Sequence, residues 1–381
     1  MAVRDVTIVG AGPVGMLLAG DLVRQGLDVA LLERRTVAGE GTRAIGIHSP
    51  VLAALEPSGV TDQLLSHALR VRRGEARRRG RLLGTVRFDA LTTRFPFVAT
   101  LPQSRTEEVL GARAPEPLRG ARALAVIPRG DAVVVRAALQ GRIIEMESRL
   151  VVVPAGAGGR ELVFRPGAVP AREYRDRYLM TDAAAPGGAD AEVAVVHLDP
   201  DGVLESFPLP GGRRRYVAWD APDGDDGPDA RRERLRAALV RRGEPEAAAA
   251  VSGATSFGVR RVVAPRLRRG RIFAIGDTAH EVSPIGGQGM NLGLLDAATL
   301  APLLVEWVRE GGAPPAGLER WEARRVVSAR RAAALAFANT ALGRPLGTAD
   351  GPRRGVVRAM LAPPTAQLFA RAYAMGFDLD A

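Results

Sequence analysis

Residues 3–33 constrain this chain more than any other stretch. Val3 to Val9 is apolar and β-branched with little alternation, the pattern of a strand buried on both faces of a parallel sheet. It runs into Gly10-Ala11-Gly12-Pro13-Val14-Gly15. A helical pattern follows to about Gln25, Gly26 stands where a helix C-cap belongs, and a second strand from Asp28 to Leu32 ends at Glu33. Strand, glycine turn, helix, strand and acid in this order form a βαβ unit suited to a dinucleotide. Gly10 makes the turn, Gly12 lets the backbone approach a pyrophosphate, and Gly15 allows close packing of helix on strand. The free N–H groups at the helix start point at negative charge. Glu33, about 20 residues on, can accept from a ribose hydroxyl.

A second stretch of the same character runs through Gly276-Asp277-Thr278-Ala279-His280, Pro284 and Gly286-Gly287-Gln288-Gly289-Met290-Asn291 to Asp296. It follows the apolar run Arg271 to Ile275 and leads into a helix. Asp277 repels phosphate but accepts hydrogen bonds from sugar-type hydroxyls, while the helix start attracts anions, so the stretch suits a ligand carrying both. One such loop is as often a plain helix cap; two in one chain point to a shared dinucleotide.

The 381 residues suffice for two domains or one large one, and 46% apolar content makes the chain globular. There is no cysteine, which excludes disulfides, thiolate metal sites and cysteine nucleophiles and leads us to expect a cytoplasmic protein. The net charge of +11 is carried by 53 basic residues, all Arg. No aromatic residue interleaves with the run Arg77 to Arg81, so nucleic acid is not an expected partner. Met1 to Asp5 leads directly into a strand, so no leader is expected, and no membrane-spanning run is expected either.

Between the two glycine stretches the pattern is β-rich. Arg43 and His48 are polar residues in an otherwise apolar turn; Arg43 can reach a phosphate or a ring, and His48 reads more readily as a structural histidine than as a base. Short strands are expected at Val86 to Phe88 and Phe95 to Ala99, then a meander at 124–127, 132–137, 142–146 and 150–153. The last strand runs into Ala155-Gly156-Ala157-Gly158-Gly159-Arg160, a third strand-to-glycine turn. A second β region spans Glu192 to Asp220. Helices are expected at about 229–241, from Gly289 to about Arg309, and at about 318–342, with no motif in the tail. These patterns predict a discontinuous nucleotide-binding domain (1–70, 101–165 and 265–345), a β-rich domain (71–100 with 166–264) and a helical tail (346–381).

Taken together, these motifs resemble the class A FAD-dependent monooxygenases, the flavoprotein aromatic hydroxylases of the p-hydroxybenzoate hydroxylase type. The match to the second motif, Gly276-Asp277-x-Ala279-His280-x-x-x-Pro284-x-Gly286-Gly287-Gln288-Gly289-x-Asn291, is its most specific part. Pro102-Gln103-Ser104-Arg105-x-Glu107, Phe207-Pro208 ahead of Gly211-Gly212, and Trp321-Glu322 with Arg325 add to it. The resemblance implies an α/β fold: a Rossmann-like FAD-binding domain with an inserted β-sheet substrate domain and C-terminal helices. It implies that Glu33 holds the adenosine ribose, with Arg34 beside the adenine. Arg43 and Gln103 would contact the pyrophosphate and ribityl region, and Asp277 a ribityl hydroxyl. Pro284 and Gly286 to Asn291 would lie along the isoalloxazine ring. NADPH or NADH would reduce FAD, O₂ would form a flavin C4a-hydroperoxide, and one oxygen atom would pass to an aromatic or polyketide-like small molecule. Phe95, Phe97, Val195, Phe207, Tyr216 and Trp219, with His48, are the candidate substrate-pocket residues; no catalytic base is singled out. A monomer or homodimer is expected.

The chain departs from the family pattern at one turn. Ala155-Gly156 stands where Asp-Gly is usual, and Gly159 where Ser is usual, with Arg160 kept. That departure leaves two other readings open: a reductase or dehydrogenase of the same fold acting without O₂, and a non-oxidising flavin-binding accessory protein.

Overall fold

The computed structural model describes residues 3–37, 39, 44–185, 187–188, 190–345 and 350–380. Its first sheet has at its centre four parallel strands, in the order Ile272–Ala274, Arg142–Val153, Arg4–Val9 and Val29–Glu33. These are largely apolar where they pair, the exceptions being Arg4, Thr7 and Ser148. They are covered on their faces by the helices Pro13–Arg24 and Gly289–Glu310, forming the largest core cluster. The helix Gly289–Glu310 passes very close to the first motif: a Cβ on Gly293 would lie 2.6 Å from Val14 Cγ2 and 3.0 Å from Gly276 Cα. Glycine at 293 therefore lets the two halves of the nucleotide-type unit touch.

The expected strands 142–146 and 150–153 are one continuous strand, Arg142–Val153. Its first half pairs antiparallel with Ala132–Leu139, which pairs in turn with Arg122–Arg129. Its second half pairs parallel with Arg4–Val9 and Ile272–Ala274. One strand thus belongs to two differently directed neighbours, and the polar residues between its halves conceal the continuity.

A second sheet runs in the order His280–Glu281, Thr255–Val263, Ala171–Ala184, Arg213–Asp220, Gly202–Leu209, Ala194–Asp199, Arg73–Arg78 and Arg81–Arg87. The basic run Arg77 to Arg81 is part of its edge hairpin, turning at Arg79 and Gly80, both at positive φ. Arg77 is held there by Glu75 (2.6 Å) and Asp190 (2.7 Å). The helix Pro228–Val240 covers one face through Leu235 and Leu239. A small sheet joins Gly46–Ile47, Val98–Thr100 and Leu69–Val71.

The tail is built into the fold. Helices Asp350–Leu361 and Thr365–Tyr373 pack on the edge hairpin, where a Cβ on Gly84 would lie 2.5 Å from Leu361 Cβ. One expectation is corrected: the helix Gly289–Glu310, at 22 residues, is long and apolar enough to cross a membrane. It is instead the central core helix, with 72% of its most apolar window buried inside the protein.

Candidate active site

The turn after the first strand has the geometry its glycines require. A Cβ on Gly15 would lie 1.9 Å from Gly10 O, so the helix Pro13–Arg24 can sit on its own turn only with glycine there. Around Gly12 nothing lies within 4 Å of a Cβ position. One glycine serves chain-on-chain packing, the other faces space a ligand can fill. Glu33 closes the next strand, 5% exposed, with Oε2 accepting from Ala11 N (3.0 Å) and Oε1 from Arg35 N (2.9 Å) and Nε (3.0 Å). Burial pushes its carboxyl up, but the hydrogen bonds from Arg35 and Ala11 outweigh that and hold it below the ordinary 4.5. Glu33 is thus an ionised acceptor fixed beside the glycine turn. Arg34 is exposed, with Nη1 3.7 Å from a Cβ position on Gly158. Arg43 lies outside the described residues. Gln103 Oε1 accepts from Ala44 N (3.1 Å), and Nε2 donates to Glu107 (2.9 Å), so this side chain orders the adjoining loop.

The altered middle turn packs against the second glycine stretch. A Cβ on Gly159 would lie 2.5 Å from Ala155 Cβ, so position 159 takes only glycine in this geometry. Arg160 donates to Asp277 O (2.8 Å), Thr278 O (3.2 Å) and Glu281 Oε1 (2.5 Å), while Thr278 Oγ1 donates to Gly156 O (2.9 Å). The turn Gly276–Thr278 is thereby fixed with the Asp277 side chain exposed.

Pro284 and Gly287 are exposed, whereas Gly286 and Gln288 are buried and Met290 is half-buried. Gln288 Nε2 donates to Ala372 O (3.2 Å) and Tyr373 O (3.4 Å), so the tail holds this loop from behind. Asn291, fully buried, accepts at Oδ1 from His48 N (2.9 Å) and donates from Nδ2 to Gly46 O (2.8 Å) and Gly287 O (2.9 Å). An Asn291→Ala protein strands these backbone groups. We expect it to lose about 1–3 kcal/mol of stability in a urea titration; a loss within about 0.5 kcal/mol of zero contradicts this role.

Beneath the loop lies a charge network. Asp296 accepts from Gly276 N (3.0 Å) and Arg325 Nε (2.8 Å) and meets His280 Nε2 (2.6 Å). Arg325 also reaches Asp378 (2.7 Å) and Asp380 (3.0 Å) in the tail, which by sequence carried no motif. Burial raises the Asp296 carboxyl, but His280 and Arg325 outweigh it and hold the group far below the carboxylate range.

Of the candidate pocket residues, Phe207 and Trp219 pack on one face of the second sheet, beside Ile285 and Tyr373. Val195 and Tyr216 do not join them. Strand alternation puts both on the opposite face, where Tyr216 packs with Leu235 and Leu239, so the sheet separates these two from Phe207 and Trp219. Phe95 and Phe97 pack on the first core, and Arg70 lies 5.3 Å over the Phe97 ring. His48 is buried, edge-on to Tyr373 at 6.3 Å, with Nε2 3.6 Å from a Cβ position on Gly287. Burial pushes its imidazole down to about 4, so it is neutral at pH 7. Glu205 and Tyr178 share the Phe207 face and were not foreseen; an acid on the apolar phase of Val203-Glu205-Phe207 is the signal that marks the first.

The residues therefore fit FAD: an open Gly12, an ionised Glu33, an exposed Asp277, and exposed Pro284 and Gly287 at a helix start. A family model described as FAD binding domain matches residues 4–336. The chain is 33% identical over 339 residues to 6-methylpretetramide 4-monooxygenase of Streptomyces rimosus, covering 84% of this chain and 59% of that one. It is 30% identical to a rifampicin monooxygenase of Rhodococcus hoagii, covering 92% and 73%. The chain spans 59%, 63% and 66% of the length of three of the curated relatives it matches. Among solved structures, OxyS anhydrotetracycline hydroxylase from Streptomyces rimosus superposes with a TM-score of 0.78 at 27% identity, over 98% of this chain and 76% of that one. The p-nitrophenol 4-monooxygenase PnpA from Pseudomonas putida DLL-E4 shares the fold at a TM-score of 0.85 and 21% identity, over 98% of both chains. The chain belongs to the FAD binding domain family of the flavin-dependent aromatic hydroxylases.

Proposed function

We propose that this protein is a cytoplasmic FAD-dependent monooxygenase that uses NADPH or NADH and O₂ to hydroxylate an aromatic or polyketide-like small molecule. One observation carries the reading. Gly10, Glu33, Ala155 and Gly276 all stand at the carboxyl ends of the four neighbouring parallel strands, so every glycine turn opens on one edge of one sheet. A dinucleotide laid along that edge meets each motif in turn. The Gly12 turn and the start of the helix Pro13–Arg24 receive the pyrophosphate, Glu33 the ribose, and Asp277 the ribityl hydroxyls. Bound FAD supplies the redox chemistry that couples pyridine-nucleotide oxidation to oxygen insertion. The N-terminus of the helix Gly289–Glu310 stabilises negative charge that develops near Pro284 and Gly287. The apolar face of the second sheet excludes water above them.

Oxygen-electrode traces of the FAD-loaded protein with NADPH and a panel of phenols test this reading. Phenol-stimulated oxygen uptake with hydroxylated product is expected. NADPH oxidation that proceeds anaerobically to a reduced product points instead to the reductase reading. The absence of flavin reduction under every condition points to the accessory reading, for which Ala155 is the supporting observation. Ala155 Cα lies 2.9 Å from a Cβ position on Gly10, beside the pyrophosphate turn. An Ala155→Asp variant is expected to bind FAD several-fold more tightly or to be reduced faster in stopped flow; no change in either contradicts a role for this departure.

A further inference from the structure

The strand Gly202–Leu209 carries a residue that packing does not explain. Cross-strand register puts Val196 and Val217 directly beside Glu205, and Met180 and Ala76 continue the same row outward. Met180, Val217 and Ala76 belong to the apolar cluster that also contains Ile285 of the second glycine stretch, with Phe207 and Tyr373 against it. Glu205 stands in the middle of this row, 4% exposed. Among the described residues no hydrogen bond or ion pair holds its carboxyl, and burial alone acts on it, pushing it up to about 8.

An unpartnered acid in an apolar row costs stability, and an aliphatic side chain would fill the space more cheaply. Other charges on this face are matched. Arg215 is bidentate to Asp182 (2.6 and 2.7 Å), and Arg344 to Asp176 (2.7 Å). The titratable groups facing Glu205 are Tyr178 from the strand Ala171–Ala184 and Tyr373 from the tail; besides burial, the Glu205 carboxylate helps raise both phenols. Tyr373 meets the neutral His48, and His48 meets Gly287. Glu205 therefore lies on the sheet face whose apolar cluster also holds Tyr373 and Ile285, the latter in the loop that, on the reading above, borders the flavin ring.

We propose that Glu205 is the proton acceptor of the substrate pocket, receiving the hydrogen bond and then the proton of an acidic hydroxyl on the aromatic substrate. The substrate O–H bond breaks, an O–H bond forms on the Glu205 carboxylate, and the electron pair stays on the substrate oxygen as a phenolate. The acceptor is the ionised carboxylate, whose share grows as pH rises towards about 8, so the transfer strengthens over that range. A phenolate ring is more electron-rich than the phenol, as oxygen insertion into a ring requires. An acceptor whose affinity for protons lies near working pH is well matched to this transfer. The inference rests on the monooxygenase reading.

The test uses the FAD-loaded protein, with 4-nitrophenol, whose neutral and ionised forms absorb differently, and its methyl ether 4-nitroanisole. Wild type is expected to bind 4-nitrophenol in the ionised form. E205Q is expected to bind it as the neutral phenol at least tenfold more weakly, while binding 4-nitroanisole unchanged. Equal spectra and affinities in the two proteins overturn the proposal, as does an equal loss for both ligands, or wild type that binds neither. E205Q is expected to fold. Because the carboxyl is raised in the folded state, its stabilising contribution is complete below 4.5 and is lost as pH rises through about 8. Without ligand, the Tm of E205Q should therefore exceed that of wild type at the alkaline end; a Tm gap that does not change with pH counts against the assignment. Oxygen uptake is read separately. Glu205-dependent probe binding without oxygen uptake contradicts the monooxygenase reading alone, and uptake with an indifferent E205Q contradicts this inference alone.

Discussion

An Arg325→Met protein is expected to lose about 3–5 kcal/mol of folding stability, because it leaves Asp296 ionised and buried with one of its three partners gone, the guanidinium on Oδ1. Arg325 and Asp296 are both fully buried, so solvent does not soften the loss. Methionine keeps much of the volume, so the effect reports charge rather than a cavity. Two further consequences separate this network from ordinary packing. Asp378 loses its guanidinium and Asp380 keeps only Arg324, so the end of the tail should become more protease-sensitive. Asp296 also positions Gly276 N, so FAD affinity should fall together with stability. Acid should mimic the mutation in wild type. Since the Asp296 carboxyl is depressed in the fold, its stabilising contribution is present above the ordinary value of 3.8 and is lost as pH falls below it. Urea midpoints across that range check both; a variant as stable as wild type would remove the network from the account.

The second large effect separates two glycines of one motif. Gly15→Ala puts a methyl 1.9 Å from Gly10 O, so the helix must move off its turn. Overpacking of this kind costs about 1–3 kcal/mol or more. If the displaced turn still binds, FAD affinity should fall roughly 10–100-fold, at about 1.4 kcal/mol per decade. Gly12→Ala is the contrast. Its Cβ meets nothing and its backbone is at φ −82°, so ligand-free stability should stay within about 0.5 kcal/mol of wild type. FAD binding should nevertheless weaken, because the methyl occupies ligand space. Denaturant curves without ligand and fluorescence titrations with FAD distinguish the two; equal behaviour contradicts the division of labour.

The parts of the fold that could be read from sequence are those whose signal is local. The helix expected from about Val14 to Gln25 is Pro13–Arg24, and that expected at 318–342 is Gly317–Gly343, because glycine and proline punctuate both ends. The second sheet was harder to see. Ala171–Ala184, its 14-residue strand, reads as polar because Arg, Glu and Asp side chains crowd its first half, ahead of the buried Tyr178, Leu179 and Met180. Strand phase also separated Tyr216 from Trp219: both are large and aromatic, but three positions apart in a strand put them on opposite faces. The role of the tail depends on partners far away in the chain, Gln288, Arg325 and Ser328, which no local pattern announces.

The visible absorption spectrum of the purified protein, recorded after incubation with FAD and removal of free ligand, tests the central claim most directly. A yellow protein with the two absorption bands of oxidised flavin and one FAD per chain is expected. A correctly folded protein that stays colourless contradicts it.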